Sequence, residues 1–240
     1  MHNAGFRALG LDWTYELLDV APAQITDALR RLQAPDVAGA SVTIPYKQTV
    51  MQHLDLIDDH AMRARAVNTI VNEDGRLGGY NTDIPAIREA VEQTGVDPHS
   101  ANAVILGAGG AARATAAALD GAHLTFVARN PAAADVPGRV IGWTEPTVAS
   151  LARAADLLVN ATPLGRREEM PLRPAALPKS GAVIDLVYVK GGTPLVRKAR
   201  SLGLPTVDGW SVLLAQGAIC FLMWTGQSAP LEAMRETFTP

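Results

Sequence analysis

The chain has 240 residues, 48% of them hydrophobic and 19% charged, with a formal net charge of -3; this composition excludes a disordered, fibrous or disulfide-scaffolded chain. The balance of 24 Asp plus Glu against 21 Lys plus Arg leaves no basic stripe to neutralise a phosphate backbone, so the expected partner is a small molecule and not nucleic acid. The one cysteine, Cys220, forbids an internal disulfide and points to a reducing compartment, the cytoplasm.

In chain order, the first third predicts a helical stub through Leu9, an apolar stretch over 15–20, a helix over 22–32 and a β-branched run over 41–44 that Pro45 closes. Helices over 46–54 and 58–65 follow, then strands over 69–71 and 77–80 turned by Glu73-Asp74-Gly75. A further helix starts at the cap-like Thr82 or Asp83 and carries Ile84, Ile87 and Val91 on one face. The next segment alternates: strand 103–106, helix 111–119, strand 124–128, a helix near 147–153, and strands 157–160 and 183–187. Short apolar strands alternating with helices predict an α/β fold with a doubly wound parallel sheet. The tail returns to helix over 210–224 and 230–237. Its most apolar part, 212–224, is too short to span a membrane and reads as a buried helix. The opening MHNAGFRALGLDW has neither a basic leader with an apolar run nor a cleavage-like site, so no secretion signal is expected. A chain of this length suits two lobes. The expected division is 1–83 plus 211–240 as a substrate-binding and catalytic domain, and 84–210 as a Rossmann-type nucleotide-binding domain.

Residues Leu106-Gly107-Ala108-Gly109-Gly110-Ala111-Ala112-Arg113 follow a predicted strand and open an alanine-rich helix, the context that a dinucleotide fingerprint requires. Gly107 makes the tight turn, Gly109 lets backbone approach a pyrophosphate, and Ala112 still permits close helix packing. The N–H groups of the helix start, through Gly110 and Ala111, favour the negative charge. The bland alternative is a glycine turn that serves packing alone. The next strand ends Phe126-Val127-Ala128-Arg129-Asn130 with no acid for a ribose 2′-hydroxyl, so Arg129 favours a 2′-phosphate and NADP over NAD.

The upstream lobe collects polar residues at loop ends: Ser41, Thr43 and Lys47 in SVTIPYK, Asn68 in AVNTI, and Asn81 and Asp83 in GYNTD. Reduction of a ketone by a nicotinamide needs a proton at the oxygen as hydride reaches the carbon, and a lysine beside a carboxylate can deliver it. Taken singly, Lys47 also reads as a solvated residue and Asp83 as an N-cap.

The segments SVTIPYK, AVNTIV, GYNTD, ILGAGGAAR, NATPLG, DLVYVKGGTPL and DGWSVLLAQGA stand in the order and spacing of shikimate dehydrogenases, and the chain resembles that family along essentially its whole length. The resemblance implies two α/β lobes around a cleft and NADPH-dependent reduction of 3-dehydroshikimate to shikimate, in chorismate and aromatic amino acid biosynthesis. It implies Lys47 and Asp83 as the catalytic pair, and Thr43, Asn68 and Gln216 as substrate ligands. It sets Tyr188 on a loop near the substrate, Gly209 where backbone meets the nicotinamide, and Asn160 and Thr162 on the cofactor side.

Four departures stand out. About 18 to 20 residues that would hold a strand of typical length and a Ser-x-Ser-Pro segment are missing ahead of His2-Asn3, so Met1 is expected to be a mis-assigned start. Without them substrate binding would be poor and a sheet edge unpaired. Ser41 replaces a substrate-contacting amide. The phosphate clamp is reduced to Ala128-Arg129-Asn130 with Ala133 where a second basic residue is expected, which leaves NAD open as an alternative cofactor. Val212 replaces a methionine near the nicotinamide. Two rival readings remain: an enzyme of broader use that takes quinate, and a non-catalytic ligand-binding homologue. A homodimer also stays open.

Several residues read as non-functional. Cys220 is expected to be a small buried hydrophobe, and Trp210, Phe221 and Trp224 packing residues. The five histidines show no metal-ligand spacing, so no metal is expected. Arg63 to Arg65 read as a solvated helix face.

Overall fold

The apolar runs that make strands fall into two separate sheets, each with its own helices. The computed structural model describes residues 1–238, apart from the side chain of Glu145, and divides into Met1–Thr82 with Leu214–Pro240 as one unit and Asp83–Leu213 as the other.

The first unit opens with α1 (His2–Ala8). The apolar stretch over 15–20 is irregular: Leu17 is 96% and Leu18 56% exposed. Side chains pin it in place of strand pairing. The Asn3 amide bonds both ways with the backbone of Tyr15, at 2.9 and 2.6 Å, and the Tyr46 hydroxyl donates to Val20 O at 2.5 Å. Next come α2 (Ile25–Leu32), β1 (Gly39–Ser41), β2 (Leu56–Ile57), α3 (Asp59–Ala64), β3 (Thr69–Glu73) and β4 (Arg76–Tyr80). The Asp58 carboxylate caps α3 by accepting from Ala61 N at 2.7 Å. The sheet order is β1-β3-β4-β2, antiparallel except for β2 beside β4.

Two expectations for this stretch are corrected. The first strand covers Gly39–Ser41 and not 41–44. Pairing fades after Val42 N donates to Asn68 O at 2.8 Å, because Ile44 points to solvent and Pro45 has no N–H to give. The helix over 46–54 is a turn followed by a 3₁₀ segment, Thr49–His53. Here a long-range bond wins over the helical one: Lys47 O accepts from Val67 N at 2.8 Å.

The core of this unit gathers Ile25, Leu29, Val50, Val67, Ile70 and Leu77. A second cluster joins Phe6 of α1 to Leu214 and Phe221 of α8 (Gly209–Thr225) and Met234 of α9 (Leu231–Glu236). The buried reading of α8 holds for Cys220 and Phe221, while Leu222 is half exposed. No helix among the described residues is long and apolar enough to cross a membrane.

The second unit opens with α4 (Asp83–Gln93), whose Ile84, Ile87 and Val91 are buried as their spacing predicts. Six parallel strands follow: β5 (Asn102–Leu106), β6 (His123–Ala128), β7 (Arg139–Gly142), β8 (Leu157–Asn160), β9 (Ala182–Asp185) and β10 (Thr206–Val207). With α5 (Gly110–Ala118), α6 (Glu145–Ala154) and α7 (Pro194–Ser201) they build a sheet of order β10-β9-β8-β5-β6-β7. Numbered within this sheet, that is the 3-2-1-4-5-6 order of a dinucleotide-binding fold, with its switch point between β5 and β8. The short β7 and β10 and the helix α7 carry no signal that the sequence reading used. Strand β9 stops two residues before the expected 187, because the Asp185 carboxylate takes the Val187 N–H at 3.0 Å and turns the backbone out of the ladder.

Candidate active site

At the switch point, the turn after β5 has the shape its glycines predict. Gly107 adopts φ +110, and a Cβ there would lie 3.0 Å from Ala161 O, so only glycine fits. A Cβ on Gly109 would meet nothing within 4 Å. That leaves open space in front of α5, whose N-cap Gly109 lends no side chain to its first N–H groups. Ala108 and Gly110 are half-buried, Ala111 is exposed, and Ala112 is fully buried, as close helix packing requires. Beyond β6, Arg129 and Asn130 are exposed and Ala133 adds no second cation. An open, uncapped helix start after β5 and an exposed guanidinium after the neighbouring β6 fit a dinucleotide with a 2′-phosphate.

The ends of β8 and β9 form the adjoining wall. Asn160 Nδ2 donates to Asp185 Oδ1 and to Leu164 O, both at 2.9 Å. Asn160 Oδ1 accepts from Thr162 N at 3.2 Å and Thr162 Oγ1 at 2.7 Å, and that hydroxyl accepts from Leu164 N at 3.1 Å. The buried Asp185 also accepts from Thr193 Oγ1 at 2.5 Å. Burial raises the Asp185 pKa; hydrogen bonds from Thr193, Val187 and Asn160 oppose the rise, and the Asp208 charge adds to it. Further along, a Cβ on Gly209 would stand 2.6 Å from Val187 C and O and 2.8 Å from Tyr188 N. Tyr188 is half exposed and its ring lies 5.2 Å from that of Trp210. Burial pushes the Asp208 carboxyl up, but hydrogen bonds from Arg200 and Ser211 outweigh it and hold the group below the usual carboxylate range.

In the first unit the polar residues form a buried lattice. Asn68 Nδ2 donates to Thr82 Oγ1 at 3.0 Å, while its Oδ1 accepts from Thr82 N at 2.8 Å and Thr69 Oγ1 at 2.9 Å. Thr82 Oγ1 donates to Gln216 Oε1 of α8 at 3.4 Å, and Asn81 Nδ2 donates to Ala66 O at 2.8 Å. Lys47 joins through its backbone bond to Val67, next to Asn68. Ser41 and Thr43 are exposed, and Ser41 hydrogen-bonds the Tyr15 phenol, whose pKa burial raises. Asp83 begins α4 directly after Thr82.

The structure thus gathers Asn68 and Gln216 in one network, Gly107 and Thr162 in a second, and Tyr188 and Gly209 in a third. Residues missed from sequence are Thr69, Thr82, Asp185 and Thr193, which hold the others in place. Only Asp185 carried a readable signal, a carboxylate ending the apolar run AVID. Cys220 requires a correction: it is buried, but its Sγ lies 3.0 Å from Thr69 Oγ1 and 3.4 Å from Thr82 Oγ1, inside the polar lattice and not among hydrophobes alone. Among the described residues no group of three or more His, Cys, Asp or Glu is placed to hold a metal ion.

Comparison with known proteins bears on this arrangement. Residues 1–70 match the family described as "Shikimate dehydrogenase substrate binding domain". The "Shikimate dehydrogenase (NADP(+))" of Moorella thermoacetica is 42% identical, over 98% of this chain and 85% of that one. The crystal structure of shikimate 5-dehydrogenase from Thermus thermophilus in complex with NADP(H) and shikimate superposes with a TM-score of 0.86 at 34% identity, over 99% of this chain and 91% of that one. A 5-ketofructose reductase of Gluconobacter, in ligand-free form, superposes with a TM-score of 0.86 at 31% identity, over 99% of this chain and 91% of that one.

Proposed function

The chain belongs to the shikimate dehydrogenase family, and from that membership we propose its reaction and the part each residue takes. It is an NADP-dependent oxidoreductase that interconverts 3-dehydroshikimate and shikimate. Bound NADPH supplies a hydride to the ketone carbon. The Lys47 ammonium hydrogen-bonds the carbonyl oxygen, stabilises its growing negative charge and gives it a proton, leaving a secondary alcohol. In the reverse direction Lys47 takes that proton back. Asp83 orients the lysine and accepts a hydrogen bond from a substrate hydroxyl. Asn68, Gln216, Thr43 and Ser41 bind the remaining hydroxyls and the carboxylate, and Tyr188 lies alongside.

On the cofactor side, Gly107 to Ala111 receive the pyrophosphate, Arg129 and Asn130 the 2′-phosphate, and Asn160, Thr162 and Gly209 the nicotinamide half. This assigns 1–83 plus 211–240 to the substrate and 84–210 to NADP. The observation that carries the reading is the buried Asn68–Thr82–Gln216 lattice. Polar groups held rigid by one another can discriminate a ring by its hydroxyls, which a packed apolar floor cannot do. The lone buried Cys220 supports a cytoplasmic enzyme, and a homodimer is the assembly to test by sedimentation.

Spectrophotometric NADP+ reduction with shikimate tests the reaction: a folded protein that binds NADP+ but shows no rate above background even at the highest soluble concentration of shikimate overturns it. Ser41, in place of a substrate-contacting amide, and the likeness to a reductase of another polyol ketone favour a second reading of broader substrate range. Rates on quinate comparable to those on shikimate would support it.

A further inference from the structure

We propose that Asp185 is a positioning residue that fixes both walls of the cofactor site from behind, a role that rests on the NADP-binding reading above. Its carboxylate is wholly buried at the end of β9 and takes hydrogen bonds from three donors: Asn160 Nδ2, Val187 N and Thr193 Oγ1. Asn160 Nδ2 and Val187 N can only donate, so that side of the site calls for an acceptor, and both bonds fall on Asp185 Oδ1. The other oxygen, Oδ2, takes the Thr193 hydroxyl, which itself accepts from Val196 N at 3.1 Å. A carboxylate serves all three partners.

Through Asn160 the carboxylate reaches the loop after β8. Asn160 holds Thr162 and Leu164, and that loop stands against the phosphate turn, where a Cβ on Gly107 would lie 3.0 Å from Ala161 O and 3.3 Å from Thr162 Cγ2. Through Val187 N it reaches the loop after β9, whose backbone touches Gly209 at 2.6 Å from a would-be Cβ. One side chain that touches no part of the open surface thus sets the relative height of the Gly107 turn and the Gly209 helix start. Burying a charge is costly, and a neutral isostere would satisfy packing equally well. The carboxylate is explained by what it orders, because only it accepts from all three donors at once.

The test compares the parent protein with Asp185→Asn, which keeps the shape and removes the acceptor-only character. NADP+ affinity is measured by titration calorimetry, with KM for shikimate and thermal stability beside it. The expected result is at least a roughly tenfold loss of NADP+ affinity, a misplacement effect, with a smaller change in KM for shikimate and a lowered melting temperature, since the buried Thr193 hydroxyl loses its acceptor. Equal NADP+ affinity in the two proteins overturns the role, and so does an equal rise in both KM values. Thr193→Val removes a hydroxyl that bonds Asp185 and is assigned no contact with the cofactor, and its effect on NADP+ affinity should not add to that of Asp185→Asn; it also decides the matter if Asp185→Asn does not fold. The two failures are distinguishable: a parent that binds NADP+ without oxidising shikimate refutes the assigned reaction, and equal affinities refute only the role of Asp185.

Discussion

Replacing Gly209 by alanine isolates a contact that the sequence could not show. The added Cβ would sit 2.6 Å from the carbonyl carbon and oxygen of Val187 and 2.8 Å from Tyr188 N, all backbone atoms that no rotamer change can move. Ordinary contact begins at 3.4 Å, so the loop after β9 or the start of α8 must retreat by about 0.8 Å. Overpacking of this kind costs about 1 to 3 kcal/mol, and the better helix propensity of alanine returns up to about 1 kcal/mol. A net loss of about 1 to 2 kcal/mol lowers the melting temperature of a chain this size by about 2 to 8 °C. Because the displaced loop borders the cofactor site and carries Tyr188, KM for NADP+ should rise roughly tenfold, with a smaller rise in KM for shikimate. Thermal denaturation followed by circular dichroism and initial-rate kinetics measure the two effects. A melting temperature equal to the parent's, with both KM values preserved, would refute the argument that backbone contact dictates glycine here.

Gly109→Ala reverses that pattern. Its Cβ enters open space, so stability holds, whereas NADP+ affinity falls because backbone can no longer approach the pyrophosphate; calorimetry and a melting curve together check this. Lys47→Ala should lower kcat by about 10² to 10⁴-fold with a smaller change in KM for shikimate, and a change in KM alone would exclude the proton-donor role. His2 supplies a pH dependence. Burial first, and then the positive amino terminus, lower its pKa to about 4 from the ordinary 6.5. Between those values the unfolded chain binds more protons, so stability present above pH 6.5 is lost as pH falls toward 4, by no more than about 3 kcal/mol. His2→Gln should flatten urea-melt stability across that window, and an unchanged slope would show that other groups govern it.

Much of the site is legible in the chain because its signals are local. A glycine turn between a strand and a helix needs only neighbouring residues to be recognised, and the α/β alternation over 84–210 dictates the parallel sheet through backbone pairing alone. The same holds for Ile84, Ile87 and Val91, whose spacing fixes the buried face of α4. Where a long-range bond competes with a local preference, sequence reading fails. The Val67 N–H takes the Lys47 carbonyl from the helix expected over 46–54, and Asp185 ends β9 early by capturing Val187 N. Cys220 looks apolar among its neighbours in sequence, yet the fold sets it beside Thr69 and Thr82.

The sequence by itself determined the fold class, the glycine turn and the residue types that reduce a ketone, since periodicity, turn chemistry and the kind of side chain are properties of short segments. The tertiary structure alone decided which buried groups hold those residues still. Asn68, Thr69, Thr82 and Gln216 lie on different elements, as do Asn160, Asp185 and Thr193, and hydrogen bonds between them exist only once the strands and helices have packed. Their energy depends on exclusion from water, a condition no isolated segment can meet.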